Sequence, residues 1–266
     1  NIAFVFKFGK GVNKYSHKCE ISSVAENNLF QTKSTEVKIM AKEGTIGRTI
    51  KVKIQQMRQE LPLFVVFRAL GIISDKEICE LILYNISGEE ASTYMEYLRP
   101  SIEEAAPIQN MQTALEYASK YIMLSANQKN FHQNNKFKLW YTQDIIREEF
   151  LPHVGKNLRK KAFFLGYMVN KMLNTVIINN DDIYDDRDSF LNKRVETTGG
   201  LMASLFRSNF KKMMRDVENQ AKLELSKRRF DDLASGLAKK IKKSTIDSGL
   251  KYGLSTGNWG LKNQSN

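Results

Sequence analysis

Residues 162–178 read AFFLGYMVNKMLNTVII, and this stretch decides how the fold is interpreted. Its apolar side chains recur at helical spacing, which predicts a strong buried helix. Phe163, Tyr167, Leu173 and Val176 are among the apolar positions. A chain of 266 residues is long enough to pack further elements around such a helix and to form one large domain or two moderate ones.

More helices are predicted on the amino-terminal side of this stretch. Residues 74–77 (SDKE) have the form of a capping box, in which the serine hydroxyl accepts from the Glu77 amide and the glutamate reaches back. Ile78, Leu81 and Ile82 then form one apolar stripe. The remaining signals are a second cap at residues 87–90, short helices at 113–122 and 139–150, and a loop region around Pro100 and Pro107.

The first 70 residues have the pattern of strands and turns. Residues 36–40 and 49–54 alternate apolar with polar side chains, which is the period of a half-buried strand. Gly44 and Gly47 lie between them and allow the chain to reverse, so a hairpin-like pair is predicted. Residues 63–67 (LFVVF) are wholly apolar and fit either a buried strand or the start of a buried helix.

The carboxyl-terminal part is predicted to be helical. Residues 201–230 carry apolar side chains at helical spacing and would form a helix about 45 Å long. Cations are also distributed around this stretch, at Arg207, Lys211, Lys212 and Arg215. A shorter apolar stripe follows at Leu233, Leu237 and Ile241, and residues 249–260 are rich in glycine. The predicted fold class is therefore α+β, mostly helical with short antiparallel strands.

Composition indicates an ordinary globular protein, with 42% hydrophobic and 26% charged residues. Two cysteines, Cys19 and Cys79, belong to no motif, which is typical of a reduced intracellular protein. The sequence has no signal-peptide pattern and no apolar run of membrane-spanning length, so no membrane partner is predicted. The chain opens at Asn1 inside an apolar run rather than at methionine, which predicts an internal segment of a longer protein.

The net charge of +12 is unevenly distributed along the chain. Residues 1–69 carry +7 and residues 189–266 carry +9, whereas residues 70–150 carry −5 and residues 151–188 carry +1. A basic start and end around an acidic middle are consistent with one surface that faces a polyanion. A lysine-rich solvated surface explains the same numbers, so charge alone leaves both interpretations open.

One acidic loop allows three interpretations. Five aspartates lie close together, at Asp181, Asp182, Asp185, Asp186 and Asp188. They could hold a divalent cation, although no glycine supplies the sharp turn of a calcium loop. They could form a solvated turn in which Arg187 pairs with a carboxylate. With Lys193 and Arg194 they could also contact nucleic acid, a carboxylate accepting from a base amino group and the cations meeting phosphates.

No other pattern in the chain predicts a catalytic or metal site. The basic strip of residues 227–243 fits either DNA phosphates or a solvated helix face. His17, His132 and His153 have no ligand spacing to one another or to the cysteines, so no metal-ligating residue is predicted. No nucleophile, base and orienting partner occur together. The segment is therefore predicted to contain no catalytic residue.

Two segments carry a family resemblance. Residues 159–170 (RKKAFFLGYMVN) and residues 185–194 (DDRDSFLNKR) resemble signature segments of the second-largest subunit of multisubunit DNA-directed RNA polymerases. In both this chain and that family, a glycine and a long helix follow the second segment. Residues 248–260 match the family's approach to its fork region, residues 63–71 and 74–80 also resemble the family, and residues 20–26 do so more weakly, all in the same order along the chain. Tyr167 and Arg187 make it more similar to the eukaryotic RNA polymerase II-like and large-DNA-virus subunits than to bacterial ones.

The resemblance implies a domain arrangement. Residues 1–18 would end a first segment of the protrusion domain, and residues 19–195 would form the lobe, the second domain of that subunit. Residues 196–250 would return to the protrusion as its long-helix part, and residues 251–266 would begin the fork.

The resemblance also implies a function. The chain would be part of a nucleotidyltransferase, forming a wall of the DNA cleft in DNA-templated transcription without a complete active site of its own. Asp188, Lys193 and Arg194 match the loop that faces DNA, and Trp259 and Lys262 match a region near the RNA–DNA hybrid. No cofactor is expected in this segment, whereas magnesium and zinc are expected in the complete polymerase.

Partners and location follow from the same resemblance. The expected partners are the largest polymerase subunit, other polymerase subunits, DNA and initiation or elongation factors. The expected location is the nucleus, or a viral factory or virion if the source is a large DNA virus. Two rival hypotheses remain at this stage, a free-standing basic DNA-binding module and a structural docking domain for transcription factors.

Overall fold

The computed structural model divides the chain into two compact units, residues 1–193 and residues 194–266. The residues that it describes are 3–7, 14–24, 32–41, 44–84, 91–124, 134–178, 184–186, 189–193, 195, 197–226 and 244–259. The fold is α+β and mostly helical, as the sequence predicts. Among the described residues, no helix is long and apolar enough to cross a membrane.

A five-stranded antiparallel sheet opens the first unit. Its strands are β1 (Phe4–Lys7), β2 (Tyr15–Ser23), β3 (Lys33–Met40), β4 (Ile50–Ile54) and β5 (Leu61–Pro62), and they lie side by side in chain order. Val37 on β3 lies opposite Cys19 on β2 and Val52 on β4. The predicted pairing of residues 36–40 with residues 49–54 is confirmed.

Alternation of side chains explains why one face of the sheet is buried. Val37 and Ile39 on β3 and Ile50 and Val52 on β4 all lie in the core. The charged residues Glu36, Lys38 and Lys51 alternate with them along the two strands and belong to the other face. This period of two is what a strand with one face against a core requires.

Helices and helical turns follow β5 in the first unit, and the core lies between them and the sheet. They are α1 (Leu63–Ala69), α2 (Asp75–Leu83), α3 (Ala91–Ala105), α4 (Met111–Ser119), α5 (Asn135–Asp144) with a π-helical turn (Ile145–Glu149), a 3₁₀ turn (Pro152–Val154) and α6 (Leu158–Ile178). The wholly apolar run at residues 63–67 is a helix rather than a strand, and every residue of α1 is buried. The predicted helices at 113–122 and 139–150 correspond to α4 and to α5 with its π-helical turn.

Helix α6 is the predicted buried helix, but its buried face differs from the expected one. Leu165, Val169 and Leu173 are fully buried. Phe163 and Tyr167, one helical turn apart, are 49% and 41% exposed. The helix has one outward face despite its apolar composition, because residues four apart lie on the same side.

Two local predictions in this unit are wrong. Ser74 precedes α2 as expected, but its side chain makes no capping hydrogen bond. Asp75 instead accepts from the buried Arg68 guanidinium at 2.5 Å, so a tertiary ion pair replaces the local cap. Pro100 lies inside α3 rather than in a loop. The neighbouring Ser101 is buried and its hydroxyl accepts from the backbone N–H of Ile50 at 2.8 Å, so packing against the sheet outweighs the hydrogen bond that proline removes.

In the second unit the described residues form two helices, α7 (Thr198–Ser226) and α8 (Ser244–Thr256). Helix α7 has 29 residues and is therefore about 44 Å long. A Cβ atom on Gly253 would lie 2.5 Å from Cδ2 of Leu205, and one on Gly249 would lie 2.1 Å from the Asn209 amide oxygen. The glycines of the predicted glycine-rich stretch thus let α8 approach α7 closely.

Some predicted elements lie where the structure does not describe the chain, so those predictions stay open. The end of the expected long helix (residues 227–230), the apolar stripe at Leu233, Leu237 and Ile241, and the cap at residues 87–90 lie outside the described residues. Strand β1 belongs to the first unit and α8 is continuous across residue 251. The division into protrusion, lobe and fork segments stays a prediction.

Candidate nucleic-acid interface

The site residues expected from the resemblance lie in two separate units. Lys193 ends the first unit, and Trp259 is half-buried just after α8 in the second. Asp188, Arg194 and Lys262 lie outside the described residues. Of the proposed DNA-contacting residues, the structure therefore describes Lys193, together with residues 189–192 that precede it.

Lys193 follows a 3₁₀ turn (Phe190–Asn192) whose first two side chains are strongly exposed. The Ser189 hydroxyl accepts from the backbone N–H of Leu191 at 3.3 Å, which begins the turn. Phe190 and Leu191 are 88% and 95% exposed. The Lys193 ammonium lies 5.6 Å from the centre of the Phe190 ring, a cation–π contact. This exposed segment places a lysine and apolar surface where a partner can reach them.

Just before the exposed segment, Asp185 is bonded to the outer edge of the sheet. Its carboxylate accepts from the backbone N–H of Val5 at 2.8 Å, and its own N–H donates to the Val5 carbonyl at 3.1 Å. Lys171 on α6 donates to the same carboxylate at 3.2 Å and to the Ala3 carbonyl at 2.5 Å. We call Ala3, Val5, Lys171 and Asp185 the edge anchor.

Tyr184 adds a second attachment beside the edge anchor. Its hydroxyl lies 3.2 Å from Nε2 of His17 on β2, and the two rings stack with centres 5.9 Å apart. Burial, with the charges of Lys7 and Arg48 adding to it, lowers the pKa of His17 to about 4. His17 is therefore neutral at pH 7, and Nε2 accepts from the Tyr184 hydroxyl if Nδ1 carries the ring proton.

A pH experiment checks this assignment of His17. The folded chain disfavours the imidazolium, so its contribution to stability is present above the ordinary histidine pKa and is lost as pH falls from about 6.5 towards 4. We expect the free energy of unfolding of the wild type to fall more steeply over this range than that of His17→Gln. An NMR titration of His17 with a midpoint near 6.5 would contradict the expectation.

The structure also restricts the predicted interpretations of the acidic loop. Asp185 is used within the fold, whereas Asp181, Asp182, Arg187 and Asp188 lie outside the described residues. Within the described ranges, no group of three or more His, Cys, Asp or Glu side chains could hold a metal ion. Burial raises the pKa of Cys19 to about 12 and that of Cys79 to about 11, so neither thiol is poised as a metal-binding thiolate.

Much of the positive charge of the first strands is neutralised within the fold. Lys18 lies 2.5 Å from Glu20 and 3.5 Å from Glu36, and Lys38 lies 2.7 Å from Glu36 and 2.8 Å from Glu60. Burial alone would raise the pKa of Glu36, but hydrogen bonds and charges from the two lysines lower it. The polar face of the sheet thus carries a mixed ion-pair network.

Helix α7 presents cations along one exposed face. Arg207, Lys211, Arg215 and Lys222 are all exposed. Their spacing of four, four and seven residues places them within about 80° of the helix circumference. Lys222 pairs with Glu218 at 2.6 Å. The basic strip at residues 227–243 that the sequence singles out lies outside the described residues.

Comparison with known proteins identifies the family. The family model for RNA polymerase Rpb2, domain 2, matches residues 13–196. This chain belongs to the Rpb2 family. The resemblance seen in the sequence, to the second-largest polymerase subunit, is therefore confirmed.

Rpb2 relatives match the chain almost from end to end. It is 36% identical over 264 residues to DNA-directed RNA polymerase II subunit RPB2 of Eremothecium gossypii, covering 98% of this chain and 20% of the relative. It is 36% identical over 270 residues to DNA-directed RNA polymerase II subunit 2 of Arabidopsis thaliana, covering 99% and 21%. It is 31% identical over 214 residues to DNA-directed RNA polymerase subunit Rpo2 of Saccharolobus shibatae, covering 79% and 17%. The chain spans about a fifth of the length of these relatives.

Sequence reasoning missed the structural use of Asp185. It treated this residue as one of five similar aspartates, but the carboxylate is bonded to a strand 180 residues away. No local pattern distinguishes Asp185 from its neighbours. Its place at the start of the DDRDSFLNKR segment is the only signal that marks it.

Proposed function

We propose that this chain forms part of the wall of the DNA cleft in a DNA-directed RNA polymerase. Family membership over nearly the whole chain supports a polymerase-subunit segment rather than a free-standing module. The observation that carries the role in DNA contact is the exposed turn ending at Lys193, which directly follows the edge anchor. An exposed cation on an anchored segment suits contact with a phosphate backbone.

The proposed roles of the site residues follow from their chemistry. Lys193 and Arg194 would meet DNA phosphates, Lys193 as a point charge because lysine lacks the bidentate geometry of arginine. Asp188 would accept a hydrogen bond from a base amino group. Trp259 and Lys262 would lie near the RNA–DNA hybrid. These residues would hold nucleic acid rather than perform chemistry.

Nucleotidyl transfer itself would belong to the complete enzyme. Magnesium would act there in phosphoryl-group chemistry, and zinc would have a structural site, both outside this segment. The partners would be the largest subunit, other polymerase subunits, DNA and initiation or elongation factors. For an RNA polymerase II-like enzyme the location would be the nucleus, and for a viral one the viral factory or virion.

Charge removal at the proposed contacts tests this function. In an assembled polymerase, Lys193→Ala and Arg194→Ala are each expected to weaken DNA binding and to reduce the slope of log K against log salt by about one, since each lost phosphate contact releases one fewer counterion. Asp188→Ala should alter base preference with little change in the slope. The measurement is the DNA dissociation constant at several salt concentrations.

A matched control comes from the first unit. Lys120 is an exposed lysine after α4 and is not one of the proposed contacts, so Lys120→Ala removes the same charge elsewhere in the sequence. The salt slope of that variant should equal the wild-type slope. If the Lys193 and Arg194 variants behave like the Lys120 variant, the proposed DNA contacts are wrong.

A further inference from the structure

We propose that Asp185 is a positioning residue for the DNA-facing segment, defined as residues 189–193. Asp185 would act through the edge of the sheet without touching DNA. This inference rests on the proposed function and adds to it the element that sets where the segment begins.

The first observation is that the outer edge of β1 is occupied. An edge strand leaves every second N–H and C=O without a strand partner. Here the carbonyl of Ala3 accepts from Lys171, and both backbone groups of Val5 are bonded to Asp185. Asp185 supplies its backbone N–H and its carboxylate, so it substitutes for a neighbouring strand at one position. The attachment is directional, because two hydrogen bonds to one residue define an orientation as well as a distance.

The second observation is that three elements hold the same short segment. Asp185 is tied to β1 and, through Lys171, to α6. The Tyr184 hydroxyl contacts His17 on β2 and also lies 3.5 Å from the Thr175 carbonyl, near the end of α6. Cys19, fully buried on β2, lies opposite Val5 in the register of the sheet. Residues 184 and 185 are thus bonded to the rigid core rather than to another loop.

Chain length then limits where the DNA-facing segment can lie. Lys193 is eight residues beyond Asp185, so its Cα lies within about 29 Å of the anchored Asp185 Cα. Without the edge anchor, the DNA-facing segment would no longer start from a fixed position. Its residues would then have to be ordered when DNA binds, and the free energy that this ordering costs would weaken binding.

A general loss of stability is the competing explanation for weaker DNA binding by Asp185→Ala, and the chain offers a matched control for it. Lys51 on β4 pairs with Glu104 on α3 in the same unit. The Glu104 side chain is 25% exposed, close to the 24% of Asp185. Both carboxylates therefore tie a helix to the sheet, but only Asp185 lies next to the DNA-facing segment.

The experiment is a double-mutant cycle in an assembled polymerase that contains the complete second-largest subunit. Its variants are Asp185→Ala, Lys193→Ala, the double variant and Glu104→Ala, each measured for DNA affinity at several salt concentrations and for thermal unfolding. We expect Asp185→Ala to weaken DNA binding about fivefold and the double variant to lose less affinity than the two single losses combined, because residues that act through one segment are not additive. Glu104→Ala should keep wild-type affinity.

The possible outcomes separate the positioning role from the proposed function. If Asp185→Ala binds DNA like the wild type while Lys193→Ala does not, the positioning role is wrong and the proposed function stands. The positioning role is also wrong if the two losses add, or if Glu104→Ala weakens DNA binding equally. If no variant at positions 188, 193 or 194 changes DNA binding, the proposed function itself is wrong. Should Asp185→Ala fail to assemble, Asp185→Asn replaces it, since the amide keeps the shape and loses the charge that Lys171 meets.

Discussion

Lys161→Met is expected to lower the free energy of unfolding of the 266-residue chain by about 3 kcal/mol or more, because the change leaves buried carbonyls without a donor. Lys161 is fully buried. Its ammonium donates to the carbonyls of Ile146 at 3.0 Å and Arg147 at 2.7 Å, and also to that of Phe150. Burial lowers its pKa to about 8, with the charge of Glu148 opposing the shift. At pH 7 it still carries three N–H donors for three carbonyls.

The preceding residue supplies the control for this prediction. Lys160 is an exposed lysine on the same helix, so Lys160→Met removes the same charge from the same turn of α6. Surface substitutions of this kind change stability by about 0.5 kcal/mol or less. Urea unfolding of both variants gives the comparison. Equal losses would show that the three carbonyls find water or other donors once Lys161 is gone.

Gly166→Ala is expected to destabilise the first unit by about 2 kcal/mol, and Gly166→Val by more, through overpacking between α2 and α6. A Cβ atom at residue 166 would lie 2.5 Å from the backbone oxygen of Leu81 and 3.0 Å from its carbonyl carbon. A backbone group cannot rotate away as a side-chain end can, so one helix has to shift. The loss should exceed the gain of about 1 kcal/mol that alanine brings to an ordinary helical position.

The control for Gly166 is a helical glycine with space around it. A Cβ atom on Gly199, in the first turn of α7, would have no atom within 4 Å outside its immediate surroundings. Gly199→Ala should therefore leave stability unchanged or raise it by a few tenths of a kcal/mol. Thermal unfolding measures both variants. A loss at Gly166 no larger than the change at Gly199 would show that the helices separate easily and would contradict the prediction.

Local patterns were enough for the elements that bury one face. The alternation at residues 36–40 and 49–54 predicted strands that pair as β3 and β4, and the apolar spacing at residues 162–178 predicted α6. Both patterns succeed because a strand repeats every two residues and a helix every 3.6, so the order of residues along the chain specifies the buried face directly. The choice between strand and helix at residues 63–67 stayed open for a physical reason. A segment that is buried on all sides is apolar throughout and shows neither the strand period nor the helix period.

Predictions that depended on the contacts of a single residue were less accurate. Ser74 had a local partner within reach, but Asp75 beside it pairs with Arg68, which is buried against the carbonyls of Ala105 and Ile108. Pro100 was expected to end a helix and is accommodated within α3. In both cases a contact between elements outweighs a local preference. That preference is about 1 kcal/mol for a helix cap and about 3 kcal/mol against a proline inside a helix.

By itself, then, the sequence determined the fold class, the hairpin, the buried helix and, through residues 159–170 and 185–194, the family. Tertiary structure alone decided what the acidic and basic residues do. Asp185 is hydrogen-bonded to a strand 180 residues away, and the Lys161 ammonium donates to carbonyls that lie 11 to 15 residues before it. Charge predicts that such side chains form hydrogen bonds or ion pairs. Which group they pair with depends on which distant segments the core brings together. Periodicity is a property of neighbours in the chain, whereas pairing is a property of neighbours in space.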